Sequence, residues 1–390
     1  MRIGINALFQ ARGGSYTNLA QLLGEWRRPS VLARHDFVLF ASRGTLARLG
    51  KDLISAFRVI PMEGADRGLV ARVCVEQALL WKAVARQRID VLYCPANTTP
   101  LVSPVPCVVT LQNAAPFCDS VSIDTAGFST WLRLWILGRL LRWSARRAVH
   151  VIFISKYFRD LFVSRYGMDP DRTSIVYRSR TATDGAVGAR AEALARYGIH
   201  GPYVLTVSHF YPYKNLTQLI EGYARAITRT DSPPQLVIAG GEVLKGYGKR
   251  IQSLLGRLGL DDGRVVLTGE LHASEVAALL LSCELFAFSS TCENCPTALI
   301  EALAAGVPVA CSNVGVMPEI AGDAAVYFDP FNVESVASAL LRLMENANLR
   351  EELRANARAQ SARFPTVDEA AARVLEILES NRASPTDGGL

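Results

Sequence analysis

The stretch Ser289–Val309, SSTCENCPTALIEALAAGVPV, decides how the chain is read. The apolar run before it, Leu285–Phe288, and the one at its end, Val307–Ala310, have the length and composition of buried parallel strands. Between them Pro296 stands where a first helical turn begins, a favoured place for proline. A helix over Pro296–Ala305 follows. Strand, helix, strand in that order is a βαβ unit. The N–H groups of Asn294, Cys295, Thr297 and Ala298 lie at this helix start and make an anion site for phosphate or carboxylate. Two carboxylates flank it: Glu293 before the helix, and Glu301 within it among Leu299, Ile300 and Leu303. A carboxylate on an otherwise apolar helix needs a partner. A local cap or salt bridge is the plain alternative for Glu301.

The same alternation runs outward from this unit. Tyr203–Val207, Gln235–Ala239, Val265–Thr268 and Ala325–Phe328 are further strand candidates. Helical stretches fall near Asn215–Thr228, Lys249–Leu258, Ser274–Leu281 and Glu334–Asn346. Earlier in the chain, strands are expected at Arg2–Phe9, Phe37–Ala41, Val91–Cys94, Cys107–Leu111 and Val151–Ile154. Helices are expected from Tyr16 onward and over Leu69–Arg88 and Phe128–Ala148. The polar stretch Tyr177–Arg190 reads as a linker. The expected architecture is α/β: two doubly wound, Rossmann-like domains, 1–183 and 184–365, facing a central cleft. A last helix, Thr366–Asn381, opens the segment 366–390, which ends in a frayed SPTDGGL tail. Ligands of doubly wound sheets bind at the carboxyl ends of the strands, so the function is sought in the loops there.

The composition fits this reading. The chain has 390 residues, 50% hydrophobic and 20% charged. At roughly 100–200 residues per domain, that is a two-domain length, and it excludes global disorder. No charge-free apolar run reaches ~18 residues, so no transmembrane helix is expected. MRIGINALF reads as a strand and lacks a signal-peptide cleavage pattern. A cytoplasmic protein, or one associated with the inner face of the cell membrane, is expected.

Residues 1–183 hold 25 Lys and Arg against 12 Asp and Glu, net +13; residues 184–390 hold 17 against 24, net −7. A basic half suits an anionic partner. No nucleic-acid motif accompanies it, so a phosphate-bearing substrate or an acidic lipid surface is favoured. Trp131–Arg147 carries three tryptophans and five arginines. Such a helix either lies at a membrane interface or packs on a sheet with its arginines reaching outward; the second reading is preferred. Eight cysteines are spread along the chain, mostly in apolar runs, and are expected as buried free thiols. Cys292 and Cys295 form a CxxC with no second pair, so zinc is not expected there.

The pattern Glu293-x7-Glu301 followed by AAGVPV resembles the retaining glycosyltransferases of family four, which have the GT-B fold. The resemblance runs over nearly the whole chain and is strongest in residues 203–330, where SNVGVMPEIAGDAAVYFDP agrees as well. It implies that Glu293 contacts hydroxyls of the transferred sugar and that Glu301 binds the nucleotide ribose. In VSHFYPYKN, Lys214 matches the family lysine that clamps the donor diphosphate. Ser208 and His209 stand where the family has Gly-Arg, which leaves one fixed charge fewer on the leaving group. The Gly13-Gly14 pair after the first strand resembles the family's N-terminal glycine loop, beside donor phosphates and acceptor. The same loop brings in Tyr16 on the acceptor side. Gln112-Asn113 stands where many members have His-Asp, so no general base is offered there, although amides still hydrogen-bond sugar hydroxyls. Asn97 and Thr98 are acceptor-side candidates, with a turn role as the alternative.

The resemblance therefore implies a retaining hexosyl- or deoxyhexosyltransferase. It would move a sugar from a nucleotide-diphosphate sugar to a glycan or lipid-linked acceptor, in cell-surface polysaccharide or lipopolysaccharide assembly. No Asp-x-Asp motif is present, and neither metal nor other cofactor is expected. The alternatives are a GT-B protein that binds donor without transferring sugar, for which the departures at His209 and Gln112-Asn113 speak, and a GT-B epimerase or phosphorylase.

Overall fold

The structure is a computed structural model that describes residues 1–8, 14–118, 127–180, 194–244 and 246–383. Gly13, most of the expected linker and the terminal SPTDGGL lie outside the described residues. The chain divides into two compact units. The first comprises residues 1–116, 133–179 and 365–390, and the second residues 117–132 and 180–364.

The first unit is built on seven parallel strands: β1 (Arg2–Ala7), β2 (Asp36–Ala41), β3 (Arg58–Pro61), β4 (Val91–Cys94), β5 (Cys107–Leu111), β6 (His150–Phe153) and β7 (Thr173–Ile175). Their order in the sheet is β3-β2-β1-β4-β5-β6-β7. The central strands are buried on both faces, which is why their sequences are continuous apolar runs. The edge strands β3 and β7 were not expected. They are short, half-exposed and carry no buried apolar run, and β3 ends on Pro61, which an edge tolerates.

The expected helix over Leu69–Arg88 is two helices, Leu69–Ala78 and Leu80–Arg86. The break at Leu79 turns Leu79 outward while Leu80 and Val84 are fully buried. Core packing thus re-phases a stretch that has no proline or glycine to announce it. Helix 14–26 and the last helix, Val367–Ser380, cover one face of the sheet. Trp26 stacks on Phe37 at 5.4 Å between ring centroids and donates its indole N–H to the Ala371 carbonyl at 3.2 Å. Thr366 and Glu369 close a capping box at the start of that last helix.

The second unit has six parallel strands: β8 (Tyr203–Val207), β9 (Gln235–Ala239), β10 (Val265–Gly269), β11 (Leu285–Phe288), β12 (Val309–Ser312) and β13 (Ala325–Phe328). Their order is β10-β9-β8-β11-β12-β13. Helices Leu216–Ile227 and Val333–Glu345 pack on each other over one core face, where Gly222 lets the backbones approach. A helix at Ala347–Ser361 was not expected, because its sequence is mostly charged or polar and it buries only Leu353, Ala357, Gln360 and Ser361.

In both sheets the chain starts at a central strand, winds to one side, then returns and winds to the other. The return points lie between β1 and β4 and between β8 and β11. Open α/β sheets bind ligands outside the carboxyl ends of the strands at such points. One cysteine expectation is overturned: Cys118 and Cys292 form a disulfide, and Cys74 is exposed. Cys94, Cys107, Cys283, Cys295 and Cys311 are buried free thiols. Among the described residues, no helix is long and apolar enough to cross a membrane.

Candidate functional site

In the second unit the carboxyl end of β8 runs into Ser208 and His209, then a one-turn helix, Pro212–Lys214. Asn215 closes that turn in the left-handed conformation (φ 57°), and its side-chain amide donates to the Pro330 carbonyl at 2.6 Å. Asparagine tolerates that backbone better than most residues. Gly240, at φ 148°, admits the Ser208 backbone so closely that any Cβ there would lie 2.1 Å from the Ser208 carbonyl oxygen. Ser208 is buried and donates its hydroxyl to the His209 carbonyl at 3.0 Å, whereas the His209 side chain is exposed.

The carboxyl end of β11 runs into residues 289–296. This loop is stitched to the Lys214 turn. Ser289 donates to the Lys214 carbonyl at 2.9 Å, and the Thr291 N–H donates to the Tyr213 carbonyl at 2.7 Å. Ser312 at the end of β12 donates to the Ser290 carbonyl at 2.7 Å.

The result brings together two residues 79 positions apart: the Lys214 ammonium forms an ion pair with the Glu293 carboxylate. Only 17% and 14% of these side chains remain exposed, so the pair is largely withdrawn from water and its mutual attraction is strong. The ammonium also lies 5.6 Å from the Tyr213 ring centroid and 5.8 Å from that of Phe288. Burial raises the Tyr213 phenol far above its ordinary range, with the charge of Glu293 as the second cause. The Cys311 thiol is raised for the same two reasons. Both groups are therefore neutral at pH 7.

The helix beyond the loop is Thr297–Ala304, with Pro296 in the capping position rather than the first turn. Asn294 and Cys295 are buried just before it, Thr297 and Ala298 form its first turn, and Glu301 is half-buried one turn further on. The loop–helix junction is thus placed at the switch point of the sheet, with Glu293 and Lys214 beside it.

In the first unit the corresponding loops follow β1, β4 and β5. Asn97, in the left-handed conformation (φ 73°), uses its side-chain oxygen to accept the N–H groups of Gln112 at 2.6 Å and Asn113 at 2.9 Å. The Gln112 amide donates to the Pro95 carbonyl and accepts from Arg178. Arg178, buried, also donates to the Gly14 carbonyl. The Asn113 side-chain oxygen accepts the Ala115 N–H at 3.0 Å. Thr98 donates to Glu76 at 3.1 Å, and Asn6 donates to the same carboxyl oxygen at 2.7 Å. Tyr16 turns its hydroxyl to the Arg48 carbonyl at 2.6 Å.

Three groups escaped the sequence reading. Glu76 is buried, and desolvation pushes its carboxyl above the usual range against the opposing hydrogen bonds of Asn6 and Thr98. Its signal was a carboxylate in the apolar stretch LVARVCVEQALL. Arg178 ties the glycine loop to Gln112; nothing in the linker-like YRSR separated it from its neighbours. Cys118 had no signal, since its partner lies 174 residues away. No cluster of metal-ligating side chains is present among the described residues.

Two family models match the chain: "Glycosyltransferase Family 4" over residues 12–179 and "Glycosyl transferases group 1" over residues 196–360. An O-antigen chain mannosyltransferase B of Escherichia coli is 27% identical over 162 residues, 42% of this chain and 42% of that protein. The chain thus spans less than half the length of that curated relative. Among solved structures, Anabaena Alr3699/HepE in complex with UDP and glucose superposes with a TM-score of 0.71 at 19% identity, covering 97% of this chain and 100% of that one. WaaG, described as a glycosyltransferase involved in lipopolysaccharide biosynthesis, does so with 0.72 at 17% identity over 100% of both chains. At these identities the likeness is one of fold.

Proposed function

Because the chain belongs to the group 1 glycosyltransferases and has the GT-B fold, we propose that it transfers a sugar, with retention, from a nucleotide-diphosphate sugar to a glycan or lipid-linked acceptor. The observation that carries this is the Lys214–Glu293 pair at the switch point of the second sheet, beside the start of helix 297–304. Lys214 and that helix start hold the diphosphate. Glu293 accepts hydrogen bonds from sugar hydroxyls, and Glu301 from the ribose. Charge builds on the diphosphate as it leaves, and fixed groups that stabilise developing charge commonly contribute most of an enzyme's rate enhancement. The acceptor oxygen attacks the anomeric carbon from the face the diphosphate leaves, and a phosphate oxygen takes its proton.

On the acceptor side, Gln112 and Asn97 act through the loop they hold, and Asn113 and Thr98 present the remaining polar groups. The setting is cell-surface polysaccharide or lipopolysaccharide assembly, as the names of the relatives suggest. The exposed face of the arginine-rich helix, with Trp135 and Ile136 beside Arg139, supports a peripheral contact with an anionic membrane.

A thermal-shift series with UDP, GDP, dTDP, CDP and ADP tests the donor site. A nucleotide at 100 times its Kd adds about 2.7 kcal/mol of stability. One of the five is expected to stabilise the native chain and to fail with Lys214→Ala. In transfer assays the same variant is expected to lose about 10²–10³-fold in kcat, and EDTA is expected to leave the native rate unchanged. Equal shifts in native and variant protein, or complete loss of the rate with EDTA, contradict the reading. A second reading rests on Gln112, whose amide is taken up by Pro95 and Arg178: a protein that binds donor without transferring it. Donor hydrolysis or transfer by the native chain excludes that reading.

A further inference from the structure

The Cys118–Cys292 disulfide sits one residue from Glu293. Its surroundings show what it can do. Residues 289–291 are held by hydrogen bonds to the Tyr213–Lys214 backbone and to Ser312. Helix 297–304 fixes the loop from its other end. Glu293 lies in the span between these anchors, and the bond pins the Cβ of the residue before it. Glu293 is thus held directly on its N-terminal side, with the helix start at Thr297 limiting the loop on the other. Cys292 is buried at 5% exposure, so its sulfur packs rather than moves in solvent.

We propose that Cys118 and Cys292 are positioning residues whose disulfide places Glu293 for the transferred sugar, and that breaking the bond lowers the grip on the sugar while leaving the nucleotide grip intact. This rests on the donor-site reading given above. The chemical step is a two-electron reduction. A dithiol attacks one sulfur, the S–S bond breaks, and the dithiol closes to its own disulfide. Its two protons end on the Cys118 and Cys292 thiols. Structural disulfides are uncommon in thiol-buffered compartments, where such bonds are more often responsive ones.

Binding is measured by calorimetry on the full chain as oxidised and after dithiothreitol, with GDP and GDP-mannose and with UDP and UDP-glucose as probes. Alkylation and peptide mapping record the state of both cysteines. For the pair that binds, the sugar nucleotide is expected to bind about tenfold more weakly after reduction, with the bare nucleotide unchanged within twofold. Cys118→Ser is expected to behave as the reduced native chain and to ignore dithiothreitol. Glu293→Gln, in which the positioned group is already altered, is expected to show a much smaller response to reduction.

The proposal is overturned if oxidised and reduced native chains bind the sugar nucleotide equally. It is also overturned if reduction weakens bare and sugar-bearing nucleotides alike, which marks a purely structural bond. Alkylation of both cysteines before reduction and after mild oxidation overturns it too. If no nucleotide binds the oxidised native chain, the donor-site reading itself falls and this proposal falls with it. The first three outcomes leave nucleotide binding in place, so the two failures are told apart.

Discussion

Lys214 and Glu293 hold each other, and that mutual grip governs what single substitutions do. Under the proposed function, a diphosphate arriving at Lys214 would compete with Glu293 for the ammonium and free the carboxylate for sugar hydroxyls. Glu293→Gln keeps the shape and loses the charge. It is expected to lower kcat about 10–100-fold and to weaken donor binding about tenfold, because the carboxylate holds the sugar hydroxyls in the ground state and more strongly in the transition state. Glu301→Gln is expected to raise donor KM about tenfold, the loss of roughly 1.4 kcal/mol of binding, while leaving kcat little changed. Steady-state kinetics on both variants separate the roles; matched changes in kcat and KM for the two would contradict the assignment. The place of these residues was legible because the apolar run Leu285–Phe288 and the proline after it mark where a strand ends and a helix begins, while their roles are what the family resemblance implies. Glu76 and Arg178 were not, because each acquires its meaning only from groups far away in the chain: Asn6 and Thr98 for one, Gly14 and Gln112 for the other.

At the scale of elements, the strands were legible wherever they are central. Phe37–Ala41 and Tyr203–Val207 are buried runs whose composition declares them. Arg58–Pro61 was not, since an edge strand makes half the contacts and its residues need not be apolar. Helix 69–86 shows the other failure: periodicity gave a helix, but the packing of Leu80 decided where it breaks. Helix–helix packing also sets a tight constraint at Gly222, where an added Cβ would lie 2.5 Å from the Val336 side chain. Gly222→Ala is expected to destabilise the second unit by about 1–3 kcal/mol through overpacking. A melting temperature equal to that of the native chain would show that the helices can part at no cost.

For the whole molecule, acid sensitivity follows from two imidazoles of the first unit, His35 buried and His150 half-buried. Burial lowers His150 below its ordinary pKa, with the charges of Arg172 and Arg373 adding to it, and His150 Nε2 lies 2.8 Å from the Ser174 hydroxyl. Burial likewise lowers His35, although Glu379 opposes the shift. Each imidazole binds a proton more readily once unfolded. Their contribution to stability is therefore complete above the unfolded pKa of about 6.5 and is lost as the pH falls below it towards the folded value. The melting temperature is expected to rise between pH 5 and 7, and less so in His150→Gln. An unchanged slope in that variant would assign the effect elsewhere. The segmental make-up of the units yields a second expectation. A chain cut after Phe364 lacks the helix that covers Trp26, Leu22 and Leu23. It is expected to bind a hydrophobic dye and to lose the part of the melting transition that belongs to the first unit, whereas a sharp native-like transition of both units would show that helix to be dispensable.

The same helix has a consequence for the order in which the protein is made. Synthesis runs from the N-terminus, and domains fold as their residues emerge. Here the six strands of the second unit and the residues that complete it are all in place by Phe364, while the first unit, begun at Arg2, waits for residues 365–383. The half that leaves the ribosome first is finished last. Until helix 367–380 arrives, Trp26 and its neighbours stay uncovered, so the growing chain exposes an apolar face while the whole of the second unit is being made.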